Sequence, residues 1–131
     1  MLVLERDDYD LILGSSEDVF SYMKQDECFG LKRSECYDTP EDCYIAGLVN
    51  VNPQGKPFIF YNHIRLTYIR HVEDYYELLY HEAIHLAFEL TREEKVQDEE
   101  QFIKIVQDMI TYMDIYHKPG HQNYWKNNRR I

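Results

Sequence analysis

The sequence predicts an α+β protein in which a small mixed or antiparallel sheet packs against two helices near the carboxyl end of the chain. Short apolar runs typical of strands occupy the first half of the chain, up to residue 66. From residue 72 onward the apolar residues instead recur every three or four positions, which is the spacing of amphipathic helices. A length of 131 residues suits one core, so we treat residues 1–131 as a single domain.

The first part of the chain predicts one strand followed by one helix. The run YDLIL at 9–13 is short and apolar, as a strand requires. The segment SSEDVFSYMK at 15–24 begins like a helix, because Ser15 precedes Asp18 by three residues and can form a capping box with it. Val19, Phe20 and Met23 then follow at helical spacing.

A loop and a β-hairpin are predicted next. Residues 25–42 are polar and include a glycine and a proline, which indicates a loop that completes the amino-terminal region 1–42. Residues 43–66 contain two β-like runs, CYIAGLVNVN and PFIFYNHIRL, separated by PQGK at 53–56. A short turn-forming segment between two such runs predicts a hairpin.

Two helices are predicted in the second half of the chain, over 72–91 and 98–116. The first carries a stripe formed by Val72, Tyr75, Leu79, Ala83, Leu86 and Leu90, and the second carries one formed by Phe102, Val106, Met109, Ile110 and Met113. The polar segment between them must reverse the chain if the helices are to pack side by side. Residues 117–131 form a basic tail with four positive charges and no acidic residue.

Charge and cysteine content restrict the classes of function. The net charge of the chain is −10, which argues against a nucleic-acid-binding protein. No apolar run approaches membrane-spanning length, and the start MLVLERDDYD has no signal-peptide core, so we expect no membrane partner. Three cysteines are a poor basis for a disulfide framework, and we therefore expect a cytoplasmic protein with reduced thiols.

The candidate functional site is the motif H-E-x-x-H, formed by His81, Glu82 and His85 in the helix 72–91. Residues four positions apart lie on one face of a helix, so the two imidazoles can reach a single point. Zinc binds imidazole nitrogen, and a catalytic zinc site uses three protein ligands and one water. Glu82 lies next to the first histidine and can act as general base towards that water. The pattern predicts a zinc-dependent hydrolase.

The order of a strand, PFIFYN, and then the helix LLYHEAIHLAFE resembles the zincin metallopeptidases, and it is similar to ImmA/IrrE-type and short phage HExxH proteins. The resemblance covers roughly residues 43–113. It implies a zincin-like fold, hydrolysis of peptide bonds in a peptide or protein substrate, and binding of extended substrate along an edge strand, here 57–62. The metzincin branch is excluded because Phe88 and Thr91 occupy the positions of its glycine and third histidine.

The third zinc ligand decides the subfamily. In Glu-zincins a glutamate from the following helix completes the site, and Glu99 and Glu100 open the helix 98–116. The apolar stripe places Glu99 nearer the inward face, whereas the family pattern of a glutamate two residues before an aromatic residue matches Glu100 and Phe102. We favour Glu100 and predict the metal ligands His81, His85 and Glu100.

Other ligands and other functions stay open. Cys43, in EDCYI, resembles the cysteine ligand of peptide deformylases and would make the protein a deformylase-like metal hydrolase. Asp114, His117 and His121 are weaker ligand candidates. The alternative of a different class is a non-enzymatic, acidic interaction protein that retains the zincin-like fold. A chain of this size has little material for a deep cleft, and we expect a homodimer or a protein partner to complete one.

Overall fold

The structure, a computed structural model, describes residues 1–117, and the remainder of the predicted basic tail lies outside them. Six strands and four helices follow one another along these described residues. They are β1 (Leu2–Glu5), β2 (Asp10–Gly14), α1 (Ser16–Met23), β3 (Glu27–Cys28), β4 (Leu31–Lys32), β5 (Gly47–Val51), β6 (Pro57–Asn62), α2 (His63–Tyr68), α3 (Val72–Arg92) and α4 (Glu99–Tyr116), with a 3-10 turn at Arg33–Glu35.

The main sheet has four strands in the order β1-β2-β6-β5, while β3 and β4 form a separate small hairpin. β1 is antiparallel to β2, β2 is parallel to β6, and β6 is antiparallel to β5. The parallel pair requires a long crossover connection, which runs through α1 and the segment up to β5. The α+β class with a small mixed sheet is confirmed.

Each face of the sheet carries its own apolar core. Leu11, Ile59 and Tyr61 pack with α3 and α4 on one face, where Leu79, Ala83, Leu86, Leu90, Met109 and Met113 are all buried. Ile12, Phe58 and Phe60 pack with α1 on the other face. Successive side chains of a strand point to opposite faces, so the continuous apolar runs of β2 and β6 supply both cores.

α3 and α4 lie antiparallel to each other. The ring of Tyr75, near the start of α3, stacks on His117 at the end of α4, with centroids 6.1 Å apart. Near the other ends, the rings of Phe88 and Phe102 are 5.1 Å apart. The required chain reversal is made without glycine: Glu94 has a φ of 62°, and the next two residues donate backbone hydrogen bonds to the carbonyl oxygen of Leu90.

The predicted helices agree closely with α3 and α4. Asp98 caps α4, since its side chain accepts a 2.9 Å hydrogen bond from the backbone amide of Gln101. Within the part of the chain that the structure describes, no helix is both long and apolar enough to cross a membrane.

Three expectations about the strands were wrong. The amino-terminal region contains β1 and the β3–β4 hairpin in addition to the predicted strand. The hairpin predicted over 43–66 is shorter, because β5 begins at Gly47 and Asn62 ends β6 by capping α2, with its side chain accepting hydrogen bonds from two amides of that helix. Most important for function, the segment 57–62 is not an edge strand, since β6 pairs with β2 on one side and with β5 on the other. The edge strand beside the HExxH helix is β5.

Candidate metal centre

The two histidines of the motif converge on one point. Both side chains lie on the exposed side of α3, and the Nε2 atoms of His81 and His85 are 3.2 Å apart. Two imidazole nitrogens bound to one tetrahedral zinc at about 2.0–2.1 Å would be separated by about 3.3 Å. The same separation also suits an N–H···N hydrogen bond between two neutral rings. The pair therefore fits zinc as two of its protein ligands.

Glu82 occupies a different environment from the histidines that flank it. Its side chain is about nine-tenths buried, whereas that of His81 is 63% exposed. The carboxylate Oε1 lies 3.7 Å from the Nε2 atom of His81, so a carboxylate and two imidazoles meet in one place. Burial raises the pKa of Glu82 above its ordinary value, and the neighbouring His81 acts in the opposite direction.

Strand β5 forms one edge of the main sheet, and this edge lies beside Glu82. The backbone amide of Asn62 donates to the carbonyl oxygen of Ala46, and the pairing register continues with Leu48 opposite Phe60. Because hydrogen-bonded and non-bonded positions alternate in an antiparallel pair, the backbone groups of Gly47 and Val49 point away from β6. The amide of Val51 also turns outward, where it donates to the side chain of Asn50 at 2.9 Å.

A cleft opens beside His81 and runs along the first half of α3. The part next to the motif has a volume of about 420 Å³ and is lined by Ala46, Arg65, Ile69, Asp74, Glu77, Leu78 and His81. A second part, of about 600 Å³, shares Arg65, Ile69 and Asp74 with the first and continues to Pro40 and Glu41. The motif thus borders a groove with charges of both signs.

The structure does not bring the predicted third ligand to the histidines. Glu100 is exposed on the first turn of α4, on a surface shared with Lys104 and Gln107. Glu99 borders Thr91 and Phe102, on the side of α4 that meets α3. Within residues 1–117, no third His, Cys, Asp or Glu side chain joins the two histidines in a group that could hold a metal ion, and Glu82, although close to His81, does not complete one. Glu100 accordingly stays a prediction.

The other candidate ligands also lie apart from the pair. Cys43 is buried, its thiol donates to the carbonyl oxygen of Thr39 at 3.6 Å, and burial raises its pKa to about 11. A thiol held in this way is a poor source of the thiolate that zinc requires. His117 packs instead against α2, with its Nε2 atom 3.3 Å from the hydroxyl of Thr67. Asp114 belongs to no metal-binding group of the described chain, and His121 lies outside the described residues.

Sequence reasoning did not identify Gly47 and β5 as parts of this site. A glycine in an apolar run gives no signal by itself, and only the strand order shows which strand lies at the edge. In comparisons with known proteins, no family model, no curated protein and no solved structure matched this chain.

Proposed function

We propose that this protein is a zinc-dependent peptidase of the Glu-zincin type, working in the cytoplasm. The observation that carries the proposal is the convergence of the His81 and His85 Nε2 atoms, 3.2 Å apart, with the Glu82 carboxylate beside them. Two imidazoles and one carboxylate in this arrangement are the parts that metal-assisted hydrolysis needs. The three free cysteines of the described chain support a reducing compartment.

The residues have separate roles in this proposal. His81 and His85 hold the metal, with Glu100 as the favoured third ligand and Glu99 as its alternative. Zinc, when bound, would polarise the scissile carbonyl and lower the pKa of the attacking water. Glu82 accepts a proton from that water and passes it to the leaving amine. Burial raises the pKa of Glu82, which makes its carboxylate a stronger base than an exposed glutamate.

The edge of β5 supplies the binding mode for an extended peptide. The outward backbone groups of Gly47 and Val49 can pair with a substrate strand, and this strand would then pass the histidines. Main-chain pairing is independent of side-chain identity, so the cleft beside His81 is the place where selectivity for particular residues would arise. A peptide segment or an unfolded region of a protein is therefore the proposed substrate class.

Hydrolysis of a denatured protein such as casein by the zinc-loaded chain, followed by mass spectrometry of the fragments, tests this function. We expect cleavage that a chelator stops and that Glu82→Gln abolishes while zinc stays bound. Glu73→Gln is the matched control, because Glu73 is exposed in the first turn of α3 and away from the histidines. Cleavage that survives Glu82→Gln would overturn the assignment. A folded protein that takes up no zinc would favour a non-enzymatic, acidic interaction protein instead.

A further inference from the structure

We propose that Gly47 is a positioning residue for Glu82: the absence of a side chain at this position of β5 allows the carboxylate to lie between the edge strand and the histidine pair. This inference rests on the proposed function and adds a residue outside the HExxH motif to the site. It concerns the placement of the general base and not the binding of the metal.

The steric relationship is direct. A Cβ atom added to Gly47 would lie 2.7 Å from Cγ, 3.0 Å from Cδ and 3.3 Å from Oε1 of Glu82. A Cβ essentially never comes within 3.0 Å of a heavy atom of a residue distant in sequence, so one of the two residues would have to move. The closest atom is Cγ, near the base of the glutamate side chain, and a small rotation at its tip cannot relieve the contact.

The helix and the strand cannot simply move apart. Tyr61 of β6 is fully buried, and its hydroxyl donates a 2.6 Å hydrogen bond to the backbone carbonyl of Leu79, one turn before Glu82. Gly47 is the residue of β5 paired with Tyr61. One tyrosine thus fixes α3 relative to the sheet at the level where β5 meets Glu82. Larger residues at position 47 must therefore displace the glutamate side chain.

Displacement of the carboxylate has a specific kinetic consequence. A methyl group at position 47 would push the side chain of Glu82 away from β5 and out of its buried position. The histidines lie on the exposed side of α3, and the three atoms nearest to a Cβ at position 47 all belong to Glu82. A misplacement of about 1 Å can cost on the order of 100-fold in rate. Gly47→Ala should therefore lower kcat by about 100-fold while zinc content and KM stay close to those of the wild type.

A double-mutant cycle on stability tests the contact without relying on activity. We expect Gly47→Ala to lower the urea midpoint of the wild-type chain but to have little effect in a Glu82→Ala background, where the clash is removed. Equal loss of stability in both backgrounds would overturn the proposal. If the wild type binds no zinc and hydrolyses nothing, the proposed function fails, and the cycle still decides whether Gly47 holds Glu82 in place.

Kinetics on the zinc-loaded full chain supply the second readout. Gly14→Ala is the matched control, because a Cβ at Gly14 would clash with the carboxylate of Asp18, on the opposite side of the sheet from Glu82. This control should lose stability and keep its kcat. A Gly47→Ala protein with wild-type kcat would overturn the positioning role, and so would a fall in kcat of the same size in Gly14→Ala.

Discussion

The Nε2 atoms of His81 and His85 lie 3.2 Å apart on the exposed side of α3, while Glu82 between them in sequence is buried against Gly47 of β5. One helical turn thus divides its polar residues between two environments. The imidazoles can be reached from solvent, and the carboxylate is held by the sheet. This division makes the proposed metal ligands and the proposed base separable by mutation.

Metal content should identify the third ligand. We expect about one zinc per chain by plasma mass spectrometry after loading and dialysis, lost in His81→Ala and in only one of Glu99→Ala, Glu100→Ala and Cys43→Ala. The physical reason is that loss of one of three protein ligands leaves a site too weak to survive dialysis. His71→Ala, an exposed histidine at the start of α3, is the control and should keep its zinc. Zinc retained by all three variants of the third position would mean that the ligand lies elsewhere.

Proline substitutions should reveal the direction of the backbone groups of β5. Leu48→Pro removes an amide that pairs with β6 and should destabilise the protein by about 1–3 kcal/mol, because its backbone partner in β6 is left unpaired. Val49→Pro removes an outward amide and should cost clearly less, because edge strands tolerate proline where the amide faces solvent. Urea unfolding of both variants measures the difference. If Val49→Pro proved the more damaging of the two, the assignment of outward groups would be wrong.

Val49→Pro also tests how the substrate binds. Val49→Pro removes one donor that an extended peptide would use, so KM should rise while zinc content is unchanged. A KM equal to that of the wild type would show that peptide does not bind along β5.

Asn62→Ala should be among the most destabilising polar substitutions of the described chain, at about 2–4 kcal/mol. Asn62 is fully buried. Its side-chain Nδ2 donates to the carbonyl oxygen of Ile45 at 2.8 Å and to the carboxylate of Asp38 at 3.0 Å. Its oxygen accepts from two amides of α2. The truncation removes the cap of α2 and both of these donated hydrogen bonds, although the carboxylate of Asp38 keeps a 2.6 Å hydrogen bond from the hydroxyl of Ser16. Urea unfolding should show a loss below about 1 kcal/mol for the control Asn50→Ala, at the sheet edge.

Acidification should destabilise the protein through His117. Burial, and to a smaller extent the nearby His63, lower the pKa of His117 from 6.5 to about 4. The unfolded chain therefore binds a proton that the folded chain excludes, and stability falls as pH decreases from about 6.5 to about 4. The contribution of this residue is roughly 3 kcal/mol at the acid end.

The free energies of unfolding of the wild type and of His117→Gln should be measured across this pH range. The difference between them gives the contribution of His117. The variant should lose less stability on acidification than the wild type. His71→Gln provides the comparison with an exposed histidine and should follow the wild-type curve. Parallel curves for wild type and His117→Gln would contradict the expected role of burial.

The helices could be predicted from sequence because their signals are local. The stripes of α3 and α4 repeat over many turns, and Asp98 caps α4 through a residue three positions away. The reversal between the helices was required by packing but is not marked by a glycine or a proline, since Glu94 adopts the left-handed conformation that glycine normally provides.

The arrangement of strands could not be predicted in the same way. β1 pairs with β2 at the end of the sheet, and β2 lies next to β6 although nearly fifty residues separate them in sequence. Pairing over such distances depends on how the cores fill and not on any local pattern. The HExxH residues could be located from sequence, whereas their partner Gly47 could not, because its role depends on which strand becomes the edge.

The exposure of the imidazoles separates metal loading from folding. Small zinc-finger domains use their metal in place of a core, and they unfold when it is removed. Here the core on the α3 face is built without His81 and His85. If the proposed site binds zinc, a population of these molecules would therefore include zinc-loaded and zinc-free copies with the same fold, in a ratio set by the concentration of free zinc. For the proposed peptidase, the supply of zinc, and not the synthesis of new protein, would then set the active fraction.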